Sequence, residues 1–322
     1  MPSTPLISVA LCTYNGARLL PLQLDSVLAQ DWPSLEVVAV DDASTDGTPA
    51  LLEAYAARDP RVRLHRNPAN VGFRRSFEIA LGLCRGELVA PCDQDDVWRP
   101  DKLRLLAAAL DGHAAAYCDS LLVDEQGRPL GKRLSDLLYL RAIDDPAAQI
   151  FGNCVSGHAL LLRRAVAERA MPFPEIMFHD WWLAFVAAGE GGIAYCPEPL
   201  VQYRQHARSV TDIARLRADP LARQRPGQAL DRFEEAERRL RIFAAFRRPG
   251  DEFFAATLRL WTAWKEHWLS PRFALFALRH RRRLFAFRRK ERRRRILAAL
   301  RLFWGLRTKR LFRRHAYRRK ES

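Results

Sequence analysis

No apolar run in the 322-residue chain approaches the roughly 18 residues that a membrane-spanning helix requires, so a bilayer, if involved, is met along its surface. The six cysteines, Cys12, Cys84, Cys92, Cys118, Cys154 and Cys196, include no CxxC pair and lie in or beside apolar strand-like runs. That placement leaves reduced core thiols in a cytosolic protein as the expectation. No basic stretch precedes the first apolar segment, residues 6–12, which is itself too short for a signal-peptide core, and no secretion signal is expected. No internal repeat is visible. Acid is scarce at one end only: residues 279–322 hold 20 Lys or Arg and 2 Glu, a net +18 against +16 for the whole chain, which leaves −2 on the first 278 residues. A nearly neutral front is thus joined to an intensely basic tail. Such a tail suits nucleic acid phosphates or anionic lipid headgroups, where each basic residue contributes about 1 kcal/mol, and charge alone does not choose between them.

With 48% apolar residues the chain can bury a large core. Strand-like segments at 7–12, 36–40, 62–65, 87–91 and 114–119 alternate with helical ones. The first helix presents Leu20, Leu24, Val27 and Leu28 on one face. The second carries Leu51, Leu52 and Tyr55, with Ser44 or Thr45 placed to cap it, and others span 73–84 and 100–110. This is the βαβ pattern of an α/β sheet, whose ligands bind outside the carboxyl ends of the strands. A hairpin turn at 124–127, strands at 158–162 and 193–196, and a helix from near Asp180 complete the first part. From about Thr211 the chain turns to helices rich in Ala, Leu and Arg, giving expected domains at 1–210 and 211–322. Trp261, Trp264 and Trp268 fall at helical spacing with Leu258, as core or as an interfacial aromatic face. Ile296, Leu297, Leu300, Phe303 and Trp304 form an apolar stripe flanked by Arg292 to Arg295, Arg301 and Arg307, which suits an in-plane membrane helix.

The chemistry-bearing residues gather at strand ends. Asp93-Gln94-Asp95-Asp96 places three carboxylates within four residues, where mutual repulsion is relieved by a hard divalent cation such as Mg2+ or Mn2+. Asp95 is the expected ligand, the alternative being a solvated turn that serves the next helix start. Asp41 and Asp42 end the second strand, where a carboxylate can accept the imide N–H of uracil or thymine, or close an Asx turn. Thr13, Tyr14 and Asn15 close the first strand and can wall a base from the other side, and Asn70 and Gly72 sit in the turn-rich loop at 67–72. His179-Asp180-Trp181-Trp182 sets an acid before an amphipathic helix, either as an N-cap or as a general base beside two aromatic rings on which a sugar can rest. Arg204 and His206 follow a strand and can reach a pyrophosphate or the metal, or form a surface loop. His158 begins a strand and can shape an acceptor pocket.

The segments TYNG at 13–16, VDDASTDGT at 40–48, NVGF at 70–73, DQDDVW at 93–98, HDWW at 179–182 and YRQH at 203–206 together resemble family-2 glycosyltransferases, in particular the bacterial rhamnosyltransferase-like branch. The resemblance covers about residues 5–210. It implies a GT-A fold with a C-terminal basic helical extension, a dTDP- or UDP-linked sugar donor, a divalent metal and inversion at the anomeric carbon. It further implies that Asp42 binds the pyrimidine, Asp93 with Gln94 the ribose side, Asp95 the metal, and that Asp180 is the base. Trp181, Trp182 and His158 would face a glycan or lipid-linked acceptor. Many such enzymes act at the inner face of the bacterial membrane on polysaccharide precursors, and a basic amphipathic tail is similar in kind to what that location needs.

Two other classes compete. A nucleotidyltransferase also holds magnesium on strand-end acids, but it places a Gly-rich, Lys- or Arg-bearing loop after the first strand, and residues 13–18 lack one. A nucleic-acid-binding protein would use the tail, yet the acidic loops of the front would repel a polyanion, so no nucleic acid partner is expected.

Overall fold

The computed structural model describes residues 4–205, 228–246, 251–287 and 292–308. Two compact units divide them: one takes residues up to 146 and from 154 to 205, the other takes 147–153 and the described residues from 228 onward. The boundary expected near 210 lies outside the described residues. The passage of 147–153 into the helical unit is not announced by any motif.

In the first unit, β1 (Ile7–Thr13), β2 (Leu35–Asp41), β3 (Val62–Arg66) and β4 (Leu88–Cys92) are parallel, in the spatial order β3-β2-β1-β4. Every residue of β1 and β2 is buried, as expected of parallel strands covered on both faces. The cover comes from α1 (Leu20–Leu28), α2 (Thr48–Arg58), α3 (Phe73–Leu83) and α4 (Lys102–Ala109). Leu20, Leu24 and Val27 of α1 join Ile7, Val9 and Leu11 in one apolar cluster, and Pro21 in the first turn presets the helical φ. α2 starts without the expected hydroxyl cap: Gly47 holds that position and Asp46 accepts the Thr48 N–H at 2.9 Å, because Ser44 and Thr45 are engaged elsewhere.

Beyond β4 the sheet changes direction. β8 (Leu160–Arg163) is antiparallel to β4, β6 (Ala115–Val123) is antiparallel to β8, and β9 (Ile193–Arg204) runs parallel to β6. β5 (Val97–Trp98) pairs antiparallel with β9, and β7 (Pro129–Arg133) forms the expected hairpin with β6. Short α5 (Leu134–Leu137) and α6 (Arg164–Ala170) precede α7 (His179–Glu190). Register brings Thr13 beside Asp41 and Leu11 beside Cys92, so the carboxyl ends of β1, β2 and β4 form one rim. At the opposite end, Glu36 accepts from Ser8 Oγ at 2.5 Å, the Arg85 N–H at 2.7 Å and Arg63 at 2.9 Å. Burial opposes ionisation of Glu36, but those bonds outweigh it and hold its carboxyl below the usual range.

The helical unit contains α8 (Gln228–Phe246), α9 (Glu252–Glu266), α10 (Pro271–Arg279), α11 (Arg281–Leu284) and α12 (Arg292–Leu300). Asp251 caps α9 by accepting the Phe253 N–H at 3.0 Å. Leu240, Phe243, Phe254, Trp261, Trp264 and Phe273 are buried, and Phe151 packs its ring 5.6 Å from Trp261. The tryptophan triplet therefore divides: Trp261 and Trp264 are core, whereas Trp268 lies past the helix end and is 52% exposed. All six cysteines are free thiols, five of them buried. No helix among the described residues is long and apolar enough to cross a membrane.

Candidate active site

Three loops at the rim are tied to one another by their own polar groups. The Gln94 amide accepts the Tyr14 N–H at 2.8 Å and donates to the Tyr14 carbonyl at 3.1 Å. A Cβ on Gly16 would collide with that amide, so glycine is what lets the loop after β1 approach the acidic turn. Asn15 accepts the Thr45 N–H at 2.9 Å, and its own N–H donates to Ser44 at 2.9 Å. Asp42 accepts from the Asn67 amide at 2.8 Å and from the N–H groups of Val71 and Gly72, both at 2.9 Å. The turn between them is strained at Ala43, whose φ of 57° costs a residue with a Cβ about 1 kcal/mol.

Asp42 is buried and clasps the loop at 67–72, and Asp41 is likewise buried, accepting the Ser44 N–H at 3.1 Å. Thr13 is buried, and Gln94 has each end of its amide engaged with Tyr14. Tyr14, Asn15 and Asn70 are exposed on the rim, as is Val71. Tyr14 and Val71 are 47% and 44% exposed.

The acidic turn closes β4. Asp93, Asp96 and His158 each offer a ligand atom within 4.8 Å of the others, a grouping that differs from the expected Asp95 and His206. His206 lies outside the described residues. Asp96 is 1% exposed; its Oδ1 accepts the Arg204 N–H at 3.0 Å, while its Oδ2 has no hydrogen-bond partner and stands 3.8 Å from His158 Nδ1. An orphaned carboxylate oxygen facing an imidazole nitrogen and a second carboxyl fits a hard divalent cation. Burial, then the charges of Asp95 and Asp180, push the Asp93 carboxyl up to about 7. Burial and the same acidic neighbourhood raise Asp96 well above the carboxylate range. His158 is driven down to about 3, first by burial, so it is the neutral, ligand-competent form. Ser120 Oγ holds its Nε2 at 2.9 Å.

Beneath this group lies Lys102, fully buried, donating to the His158 carbonyl at 2.7 Å and standing 2.9 Å over the Trp98 ring. Burial lowers it to about 7 against the attraction of Asp96 and Asp93. The motif reading did not single it out. The signal available was its place four residues before Leu106, on the buried face of α4.

Asp180 occupies the first turn of α7 rather than its N-cap, which is Phe178. It accepts the Trp181 N–H at 2.6 Å, and a bond from the Gly157 backbone also reaches it. Burial outweighs those bonds and raises it to about 6. A Cβ on Gly157 would lie 2.5 Å from His179 Nε2, so that close approach also requires glycine. Trp181 is half-buried, but Trp182 is 2% exposed and donates to the Ala170 carbonyl at 2.7 Å, which makes it core and not an acceptor platform. His158 is likewise buried. Arg204 is 3% exposed, and its guanidinium donates to the carbonyls of Asp95, Asp124 and Glu125 at 2.8, 3.2 and 3.0 Å. It staples the acidic turn to the β6-β7 hairpin.

A strand-end acid cluster with a separate half-buried carboxyl on a helix is set on a sheet of GT-A type. The model of "Glycosyl transferase family 2" matches residues 8–170, half of the chain, and the chain belongs to that family. It is similar to an "Uncharacterized glycosyltransferase" of Haemophilus influenzae, 25% identical over 66% of this chain and 69% of that protein. It is also similar to the "Succinoglycan biosynthesis protein ExoO" of Rhizobium meliloti, 38% identical over 39% of this chain and 36% of that one. A "Putative glycosyltransferase EpsE" of Bacillus subtilis is 30% identical over 53% and 60%. The chain thus spans less than two thirds of the last two relatives. Among solved structures, S. aureus TarS in complex with UDP-GlcNAc superposes with a TM-score of 0.56 at 20% identity, over 87% of this chain and 79% of that one. The mannosyltransferase PcManGT of Pyrobaculum calidifontis, in complex with GDP-Man and Mn2+, does so at 0.52 and 23% identity, over 83% and 82%. At those identities the likeness speaks for the fold.

Proposed function

We propose that the chain is an inverting, metal-dependent glycosyltransferase that moves a sugar from a nucleoside diphosphate donor to a saccharide or lipid-linked acceptor. The donor is a UDP- or dTDP-linked sugar, rhamnose in the reading that the motifs carry, and the setting is cell-surface polysaccharide synthesis at the inner face of a bacterial membrane. The supporting observation is that Asp95 and Asp180, from two distant segments, both act on Asp93, whose carboxyl is raised to about 7 first by burial and then by their charges, while burial raises Asp180 to about 6. Names of relatives that act on or bind nucleotide sugars support the donor class.

Asp180 has the character of a general base: near neutral pH it is ionised, yet raised enough to accept a proton from an acceptor hydroxyl. The hydroxyl oxygen then bonds to the anomeric carbon as the carbon–oxygen bond to the diphosphate breaks on the opposite face, which inverts the centre. When bound, Mg2+ or Mn2+ held by Asp93, Asp96 and His158, with Asp95 adjacent, would neutralise charge on the departing diphosphate. Tyr14 and Val71 offer the base a wall, and the Asp42 clasp fixes the loop that carries Val71.

The test is a screen of nucleotide-sugar turnover with Mn2+ or Mg2+, comparing the parent with Asp95→Ala and Asp180→Ala. Both substitutions are expected to abolish transfer, and Asp180→Ala is expected to keep donor affinity within about threefold. Undiminished transfer by Asp180→Ala would remove it as the base.

A further inference from the structure

Among the described residues, ten large apolar side chains are well exposed, and six of them fall between Trp268 and Trp304 in the helical unit. They are Trp268, Leu269, Leu275, Leu297, Leu300 and Trp304, each 44% to 70% exposed. The backbone brings them together: Leu269 bridges to Trp304, the Gly305 N–H donates to the Trp268 carbonyl at 2.8 Å, and α10, which carries Leu275, packs on α12, which carries Leu297 and Leu300. Small residues, Ala298 and Ala299, fill the buried side of α12, so its apolar stripe is turned outward. At the C-terminal end of the helix that carries Leu275, an open pocket of about 280 Å³ is lined by Arg279, His280, Arg281, Arg282 and Arg283. The Arg283 guanidinium lies 3.8 Å from the centre of the Phe253 ring, and Arg281 donates to the Leu278 carbonyl at 2.9 Å. Glu291 is the only acid in residues 267–320.

An exposed apolar patch of this kind marks an interaction surface. Tryptophan with leucine beside arginine is the side-chain set of a bilayer interface, where rings sit at headgroup level. A nucleic acid would use the arginines but leave the leucines in water. We propose that this face docks on an anionic bilayer, its apolar side chains entering the interface and a lipid phosphate seating in the cavity at 279–283. The inference rests on the membrane location put forward above and does not depend on the sugar-transfer assignment.

The experiment measures binding of the full chain to phosphatidylglycerol vesicles, to phosphatidylcholine vesicles and to duplex DNA at physiological salt, with brominated-lipid quenching of tryptophan emission. Phosphatidylglycerol is expected to bind at least tenfold tighter than phosphatidylcholine and to quench. Trp268→Ser with Trp304→Ser is expected to weaken binding by about tenfold or more and to remove most quenching. Arg279→Gln with Arg282→Gln is expected to weaken binding and flatten its salt dependence. Competition by millimolar inorganic phosphate without effect assigns the cavity to a headgroup held in the bilayer; displacement by it would make free phosphate the ligand and overturn the lipid assignment. Leu275→Ser offers a second exposed change if the tryptophan pair fails to fold. Vesicle binding undiminished in all of these variants would overturn this face while the membrane location stood. Absence of vesicle binding, or tighter binding to DNA, would overturn both.

Discussion

Binding of a divalent cation to the acidic turn should depend on pH in a way that Asp93 sets. Its carboxyl is raised to about 7, so roughly nine tenths of it is ionised at pH 8 and about one tenth at pH 6. A cation must displace that proton, so Mn2+ affinity should fall about tenfold between pH 8 and pH 6, equivalent to about 1.4 kcal/mol. Asp96, also raised, makes the slope steeper than one proton alone would give. His158, at about 3, is neutral throughout and contributes nothing to the slope. Titration of Mn2+ followed by the paramagnetic signal of the free ion gives the affinity, and calorimetry in buffers of different ionisation heat counts the protons released. Asp93→Asn should weaken binding at pH 8 and flatten its pH dependence. An affinity constant within twofold from pH 6 to pH 8, or binding without proton release, would refute the reasoning.

Lys102→Met should stabilise the fold, and more in acid than in base. A lysine whose folded value lies below its unfolded one costs stability fully below about pH 7, and the cost disappears above about 10.5; the gain should therefore be about 2–3 kcal/mol larger at pH 6 than at pH 9 in denaturant unfolding. Glu36→Ala should lower stability by about 2–4 kcal/mol at pH 7 by stranding Ser8 and Arg63. Because the folded carboxyl lies below its ordinary 4.5, that difference is present above this value and should shrink as the pH falls beneath it, which unfolding at pH 7 and pH 3 would check.

The parallel half of the sheet could be read from the chain because each of its strands is a short apolar run stopped by a polar turn. β1 ends at Thr13-Tyr14-Asn15 and β2 at Asp41-Asp42, and the rim follows once parallel pairing is assumed. The reversal beyond β4 could not, since nothing local in residues 160–163 distinguishes an antiparallel neighbour from a parallel one. In the site, the acidic turn and Asp180 were legible as clusters of charge. Which carboxyl groups with Asp93 and His158 was not: whether Asp95 or Asp96 is turned inward depends on the one-residue phase of the turn and on the Arg204 N–H that Asp96 accepts. Arg204, Trp182 and His158 are buried, which their surroundings in the chain do not announce. A polar or amphipathic side chain near a site motif looks the same in sequence whether it faces the ligand or supports the floor. In the stripe from Ile296 to Trp304, whose pattern suits an in-plane membrane helix, Leu297, Leu300 and Trp304 are exposed while Ala298 and Ala299 take the buried side.

The pairing of Gln94 with both main-chain groups of Tyr14 has a mechanical consequence. An amide can brace two segments because it offers a donor and an acceptor side by side, and a carboxylate there would repel the Tyr14 carbonyl. The first loop therefore arrives at the cleft already set at its working height, and the strain at Ala43 is carried by the scaffold before any donor enters. Little of a nucleotide's binding energy would then go into assembling its own cradle, which leaves more of it to tell one sugar from another.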